Sequence, residues 1–577
     1  MWKKLTGIIL ILVLLTACSP TQPTQQAEAT IATVESTVVQ PVSTETQAST
    51  ETFPAPAEFT GLPLPTERGK LFSAAGACTV CHQKMTDASG QDVSTDTQWR
   101  ATMLANAARD PYWLATVRSE TNLAPQIEAV IQKKCATCHM PMAEVTLAAE
   151  GQEVRILDQG LHDSTHALHP LAMDGVSCTL CHQIEPANLG QPDSFSGGFQ
   201  IDTQLPAGQR LAYGPFVTPP NLEAVMQGSS GFIPLQGLHM EQSETCGTCH
   251  DLITPTLDSS GNIAGEFAEQ LIYSEWNNSS YPGRTTCQNC HMPLAQGKVQ
   301  LSITGGAPRQ PFYQHSFVGG NAYMLGMLKQ NGADLQVTAA PEHFDWSIER
   351  TTTQISTQSA RLTLRQPRLE NGKLIAGVYI ENLVGHKFPA GFPSRRAWLH
   401  IRVTDQSGSL VFESGAFDEN GAIAGNDNDA DPASYEPHYD LITRADQVQI
   451  YEGIMADTDG QVTTQLLRAA AYIKDNRLLP AGFTSNPAIP ALDPQGQAAL
   501  DSNFTAASDT LSLQIDVSQA QGPFTLEVTL LYQTIGYRWA MNLVEEPGAE
   551  IESFARMYAA LPNLPLTADA VQATITP

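Results

Sequence analysis

The stretch Asp174-Gly-Val-Ser-Cys178-Thr-Leu-Cys181-His182 contains two cysteines separated by two residues, with a histidine directly after the second. The same plan recurs as Cys78-Thr-Val-Cys81-His82, Cys135-Ala-Thr-Cys138-His139, Cys246-Gly-Thr-Cys249-His250 and Cys287-Gln-Asn-Cys290-His291. Together with Cys18 these account for all 11 cysteines of the chain. Two thiols three residues apart can each form a thioether with a vinyl group of one haem, and the next residue then puts its imidazole on the iron. Composition alone would produce roughly 0.005 such pentapeptides in this chain, so five are not chance. Disulfides or zinc sites would use paired cysteines, but neither requires a histidine after every pair. The motifs therefore imply five covalent haem c groups, with His82, His139, His182, His250 and His291 on the irons.

Five attachment motifs between Cys78 and His291 mean that macrocycles must supply much of this region's core. Residues 61–340 are accordingly expected to form a loop- and helix-rich multihaem domain, with short helices over Trp99 to Ala108 and Ile127 to Lys134 and few regular strands. The texture changes near Pro341. Beyond it, period-two alternation runs through Leu399, Ile401 and Val403, then Leu511, Leu513, Ile515 and Val517, then Phe524, Leu526, Val528 and Leu530. Residues 341–577 are expected to be a mainly β, sandwich-like C-terminal domain with a short helix near Glu550 to Ala560. The fold class is thus multidomain, as suits 577 residues.

The chain opens MWKKLTGIILILVLLTACSP, two lysines, an apolar run from Ile8 to Leu15, and small residues up to Cys18. That is the plan of an export signal, residues 1–18, and Leu15-Thr-Ala-Cys18 looks like a lipobox, in which Cys18 becomes a lipidated N-terminus. Residues 19–60 are Thr, Gln, Pro, Ser, Ala and Glu with few large apolar side chains, and are expected to be a disordered tether. The expected location is the cell envelope, on the outer face of the cytoplasmic membrane or on the outer membrane, anchored by lipid. With a formal charge of −28, the surface repels nucleic acid and favours redox partner proteins with a basic surface.

An electron carrier usually ligates its iron on both faces, so second ligands must come from the nine histidines left among 14, or from methionine. His239 lies seven residues before Cys246 and His315 closely follows the last motif, which makes them candidates for the fourth and fifth haems. The cluster His162, His166 and His169 precedes Cys178, and His166 and His169 are candidates from it. His386, in Gly385-His-Lys-Phe-Pro-Ala-Gly391, could reach back to a haem from the β region, whereas His343 and His438 have less to recommend them. His400 alternates out of phase with Leu399 and Ile401 and should face outward. Met103, in an early helix, is either a thioether ligand of the first haem or a packed core residue.

Segments beyond the motifs carry a family resemblance. Asp174 to Ile184, Ser243-Glu-Thr-Cys-Gly-Thr-Cys-His250, Glu269-Gln270 with Tyr273-Ser-Glu-Trp276, and Cys287-Gln-Asn-Cys-His-Met-Pro293 resemble bacterial multihaem cytochromes of the cytochrome c-552/c-554 type, over about Gly69 to Met327. The later segments Gly385 to Arg396 and Tyr472 to Phe483 look like the C-terminal domain attached to some large members. The resemblance implies close haem packing and electron transfer. It also admits an oxidoreductase acting on a small nitrogen or sulfur oxyanion through one open haem. Pentahaem nitrite reductases typically carry lysine in place of histidine at the catalytic motif, and here all five motifs end in histidine. A structural or solute-binding role for the β region is the third reading. Finally, Asp427, Asp429 and Asp431 alternate like the start of a Ca2+ loop, but the glycine at the sixth position and the downstream glutamate are missing, so a solvated acidic loop explains them equally.

Overall fold

Leu511, Leu513 and Ile515 point to one side of an extended segment and Ser512 and Gln514 to the other, and this alternation becomes strand Ser508–Asp516. In the computed structural model, which describes residues 59–576, this strand pairs antiparallel with Lys373–Asn382, placing Leu511 opposite Val378 and Leu513 opposite Ala376. The sheet is completed by Ala360–Glu370 on one side and the short parallel Leu441–Ile442 on the other. A second sheet runs Ile450–Tyr451, Arg396–Thr404, Phe524–Gln533, Leu566–Ile575, with Leu410–Ser414 also paired to Arg396–Thr404. The inward residues of both sheets, among them Val378, Leu513, Ile401, Leu526 and Val528, share one fully buried core. Each such side chain contributes about 1.5–3 kcal/mol by leaving water, so a single Val528→Asp would break the sandwich. His400 faces outward and meets the Glu413 carboxylate at 2.9 Å. The expected terminal helix is Ala549–Ala559, followed by strand Leu566–Ile575, which the sequence reading did not anticipate.

The change of texture near Pro341 begins with an 18-residue helix, Pro341–Gln358, started by proline at its first turn, and strands follow only from Ala360. Before it, the chain is mostly short helices and loops. Glu128–His139 matches expectation, but the helix near Trp99 is only Thr95–Arg100. The hydroxyl of Thr102 donates to the Trp99 carbonyl, and Asn106 Nδ2 donates to the carbonyls of Arg100 and Thr102, so side chains take over acceptors that a longer helix would use. Two small ribbons also occur here, parallel Arg210–Gly214 with Phe232–Gln236 and antiparallel Asp251–Leu257 with Ile263–Leu271. Pro234 and Pro255 within them hide the strand signal.

The two regions are packed together. Asp110 caps helix Pro111–Leu123 by accepting from the Tyr112 and Trp113 amides, and this helix lies against Ala549–Ala559 through Arg118–Glu550 at 2.7 Å and Tyr112–Phe554 ring contact. The described residues form one compact unit that crosses the boundary expected at residue 340. No helix among them is long and apolar enough to cross a membrane. Cys18 and most of the 19–60 tether lie outside the described residues.

Candidate functional site

Each motif sits on a helical turn: Gly76–Thr79 begins the first, Glu128–His139 ends with the second, and Cys178–Cys181, Ser243–His250 and Cys287–His291 carry the others. Residues three and four apart share a helix face, so both thiols and the imidazole of a motif point the same way. That common direction is inward. Nine of the ten motif cysteines and all five motif histidines line one continuous cavity of about 1270 Å³, walled by aromatic side chains including Trp99, Trp113, Phe312 and Phe388. No disulfide joins any of the ten.

Local sequence explains how the motifs are brought together. Asp174, buried and pushed up to about 7 by burial, accepts from the Ala75 amide at 2.8 Å and so ties the third motif to the first. Gly175 adopts φ +62°, and a Cβ there would lie 2.7 Å from the Leu104 carbonyl oxygen. Asp251, directly after the fourth motif, accepts from the Tyr273 and Ser274 amides and from the Ser274 hydroxyl, docking helix Ile272–Asn277. Gly247 leaves room for the Tyr273 ring, 2.7 Å from where a Cβ would stand. In consequence the Cys78 and Cys178 side chains, those of Cys138 and Cys249, and those of Cys246 and Cys287 lie close enough to perturb one another, and Cys181 lies near Cys249. The fourth motif is therefore the hub, adjacent to the second, third and fifth, with the first reached through the third.

Backbone carbonyls orient four of the five motif imidazoles. His82 Nδ1 pairs with the Leu301 carbonyl at 2.7 Å, His139 Nδ1 with Ala107 at 3.0 Å, His182 Nδ1 with Tyr213, and His291 Nδ1 with Val318. A carbonyl at Nδ1 fixes the proton there and leaves the Nε2 lone pair for a metal. Burial keeps these rings neutral, pushing His139 and His250 down to about 4.

Two further histidines complete pairs across the cavity. His315 lies 6.5 Å from His182 between ring centres, with 17° between planes, and His386 lies 6.3 Å from His291 with 15°. Two imidazoles on opposite sides of one metal, each nitrogen about 2 Å from it, put ring centres about 6 Å apart. Face contact is much closer, as Trp113 shows against His139 at 4.2 Å. Burial pushes His315 down to about 3 and His386 to about 4, and His386 Nδ1 pairs with the Lys387 carbonyl at 2.8 Å. This donor set fits a haem held at each motif, with a second imidazole at the third and fifth.

The placement revises several sequence expectations. His315 faces the third motif and not the fifth, because the chain after the last motif returns past the first, where Ile303 bonds to the Cys81 carbonyl. His239 does not line the cavity: its Nε2 pairs with the Ile184 carbonyl at 2.9 Å and its ring packs on Tyr213. His166 and His169 also lie off the cavity wall, His166 Nδ1 accepting from the Leu168 amide and His169 Nδ1 pairing with the Leu161 carbonyl. Met103 lines the cavity while packing partly buried against the Tyr112 cluster. His438 belongs to the β region. Its Nδ1 accepts from Gln449 and Asn476 amide groups, whose oxygens are held by the Tyr439 and Glu452 amides, so its Nε2 carries the proton and donates to Asp501 at 3.2 Å. The Asp427, Asp429 and Asp431 carboxylates do not converge: Asp429 turns inward as the two-pronged partner of Arg396, and Asp431 caps its own turn. Sequence reasoning missed Trp113 and two buried carboxylates of the wall, Glu120 and Glu269, although Glu269 lay in a segment that resembled the family.

No family model and no curated protein matches the chain. Among solved structures, a penta-heme cytochrome c552 from Thermochromatium tepidum aligns with a TM-score of 0.45 and 16% identity, covering 83% of this chain and 96% of that one. That likeness is too distant to carry any residue's role across.

Proposed function

We propose that this chain holds five covalent c-type haems and conducts electrons at the bacterial cell envelope. What supports the reading above all is the convergence of all five motifs on one cavity, with cysteines of the first and third, the second and fourth, and the fourth and fifth motifs close together. Haem, when bound, supplies one-electron chemistry at iron. The cysteines fix each group in place, the backbone carbonyls at Nδ1 set the axial nitrogens, and His315 and His386 close the second face of two sites. Closed faces favour transfer over substrate binding. The acidic surface suits transient docking of a basic redox protein, and Cys18 would retain the chain at a membrane.

Intact mass of the mature protein should show five haem increments, and reduced protein should be reoxidised by a small basic redox protein at a rate that falls with salt. Four or fewer increments would refute the reading. A second reading, a reductase of a nitrogen or sulfur oxyanion, is favoured by Glu120 and Glu269, which line the cavity beside the second motif. Burial pushes them up to about 7 and about 8, so they hold protons near neutral pH. Sustained anoxic turnover of nitrite, hydroxylamine or tetrathionate would establish it in place of the conduit.

A further inference from the structure

The segments Gly385 to Arg396 and Tyr472 to Phe483 meet beside the fifth motif, and where they meet four charges are buried. Lys387 and Asp475 side chains are 0% exposed, Glu275 1% and Arg477 11%. Lys387 Nζ donates to Asp475 at 2.7 Å, Arg477 donates to both Asp475 oxygens at 2.9 and 2.8 Å, and Arg477 reaches Glu275 at 3.2 Å. The loop closes where the Lys387 amide donates to Glu275 at 3.1 Å. Asn382 Nδ2 donates to the His386 and Leu478 carbonyls at 2.8 and 2.9 Å, and Phe388 and Leu478 exchange backbone bonds. His386 is thus held on both sides: its ring by the Lys387 carbonyl and its own carbonyl by Asn382.

We infer that Glu275, Lys387, Asp475 and Arg477 form a charge-balanced clasp by which the β region seats His386 opposite His291 and sets the electrostatic environment of that haem iron. This rests on the haem reading above. Stability alone does not call for such a ring, since a buried ion pair replaced by well-packed apolar side chains is often neutral or better. Position gives the charges a use. They adjoin an axial ligand in a low-dielectric interior, where an unbalanced charge acts strongly on an iron that itself changes charge by one. Burial alone would raise Asp475, but Arg477 and Lys387 outweigh it and hold its carboxyl below the usual range, which keeps the carboxylate at the centre of the ring ionised.

The test uses the full-length haem-loaded protein. Lys387→Met leaves a net negative ring and should favour the ferric form of one haem; Asp475→Asn leaves a net positive ring and should favour the ferrous form. Each should change that haem's ferrous-to-ferric ratio at fixed potential by about tenfold, equivalent to about 59 mV for one electron. The Lys387→Met/Asp475→Asn double variant should return it to the wild-type value. The haem concerned is identified as the one whose low-spin signal disappears in His386→Ala. A purely structural role would move both single variants the same way, and that result, or no shift in either, overturns the clasp. If Lys387→Met does not accumulate, Arg477→Gln carries the same sign and replaces it. A wild type with fewer than five haems would overturn the underlying reading instead, so the two failures are distinguishable.

Discussion

Replacing His315 by alanine should open one iron in five, and replacing His386 should open a different one. The paired rings, at 6.5 and 6.3 Å, each span the gap that one metal between two imidazoles would fill. Around His315 the nearest rings are Phe312 at 6.1 Å and Phe317 at 5.7 Å, neither of which can ligate, so nothing stands ready to replace the lost nitrogen. Each single variant should therefore convert about one fifth of the ferric haem from low to high spin, and the double variant about two fifths. Low-temperature electron paramagnetic resonance with spin integration reads the fraction directly, and carbon monoxide binding to the reduced protein gives an independent count of open irons. His239→Ala, by contrast, should leave the spectrum unchanged, because its Nε2 is engaged by the Ile184 carbonyl. Two single variants with no added high-spin fraction, or a double variant that opens no more iron than either single one, would refute the pairing of His315 and His386 with separate irons.

Cys18→Ser should release the chain from the membrane fraction, checked by fractionation, and unchanged membrane association would exclude a lipid anchor at that residue. Arg396→Leu leaves the Asp429 carboxylate buried at 4% exposure without its two-pronged partner, and should cost about 3–5 kcal/mol in urea unfolding. His438 is pushed down to about 4, chiefly by burial, from an ordinary 6.5. Between those values the unfolded chain binds a proton that the folded state refuses. Stability should thus decline as pH falls from about 6.5 to about 4, by up to about 3 kcal/mol from this residue, and His438→Gln should flatten that slope. An equal slope in the variant would show that other groups cause it.

Much was legible in the sequence because it depends on local geometry. A Cys-x-x-Cys-His pentapeptide carries its pattern within one helical turn, so the five motifs that line the cavity could be found without a structure. Period-two alternation likewise identified Arg396–Thr404, Ser508–Asp516 and Phe524–Gln533, since one face of each strand must be buried and the other is not. The ribbon strands around Pro234 and Pro255 were not legible, because proline and an inward-facing charge, Glu269, blur that period.

Which imidazoles face a motif across the cavity was visible in the tertiary structure alone. Sequence nearness proposed His239 for the fourth site and His315 for the fifth, yet chain distance says little about which imidazole crosses a cavity. His315 meets the third motif 133 residues before it and His386 meets the fifth from 95 residues beyond it. A single facing histidine has no periodicity or spacing rule, because its position is fixed by local packing: the Lys387 carbonyl holds the His386 ring, and Phe312 and Phe317 flank that of His315. The same holds for Glu275, Lys387, Asp475 and Arg477, which are unremarkable charges in three separate segments until folding removes them from water together. The sequence by itself determined how many attachment motifs this chain carries and where each lies; only the packing of distant segments decided which imidazoles face the third and fifth of them, because that depends on contacts between residues far apart in the chain.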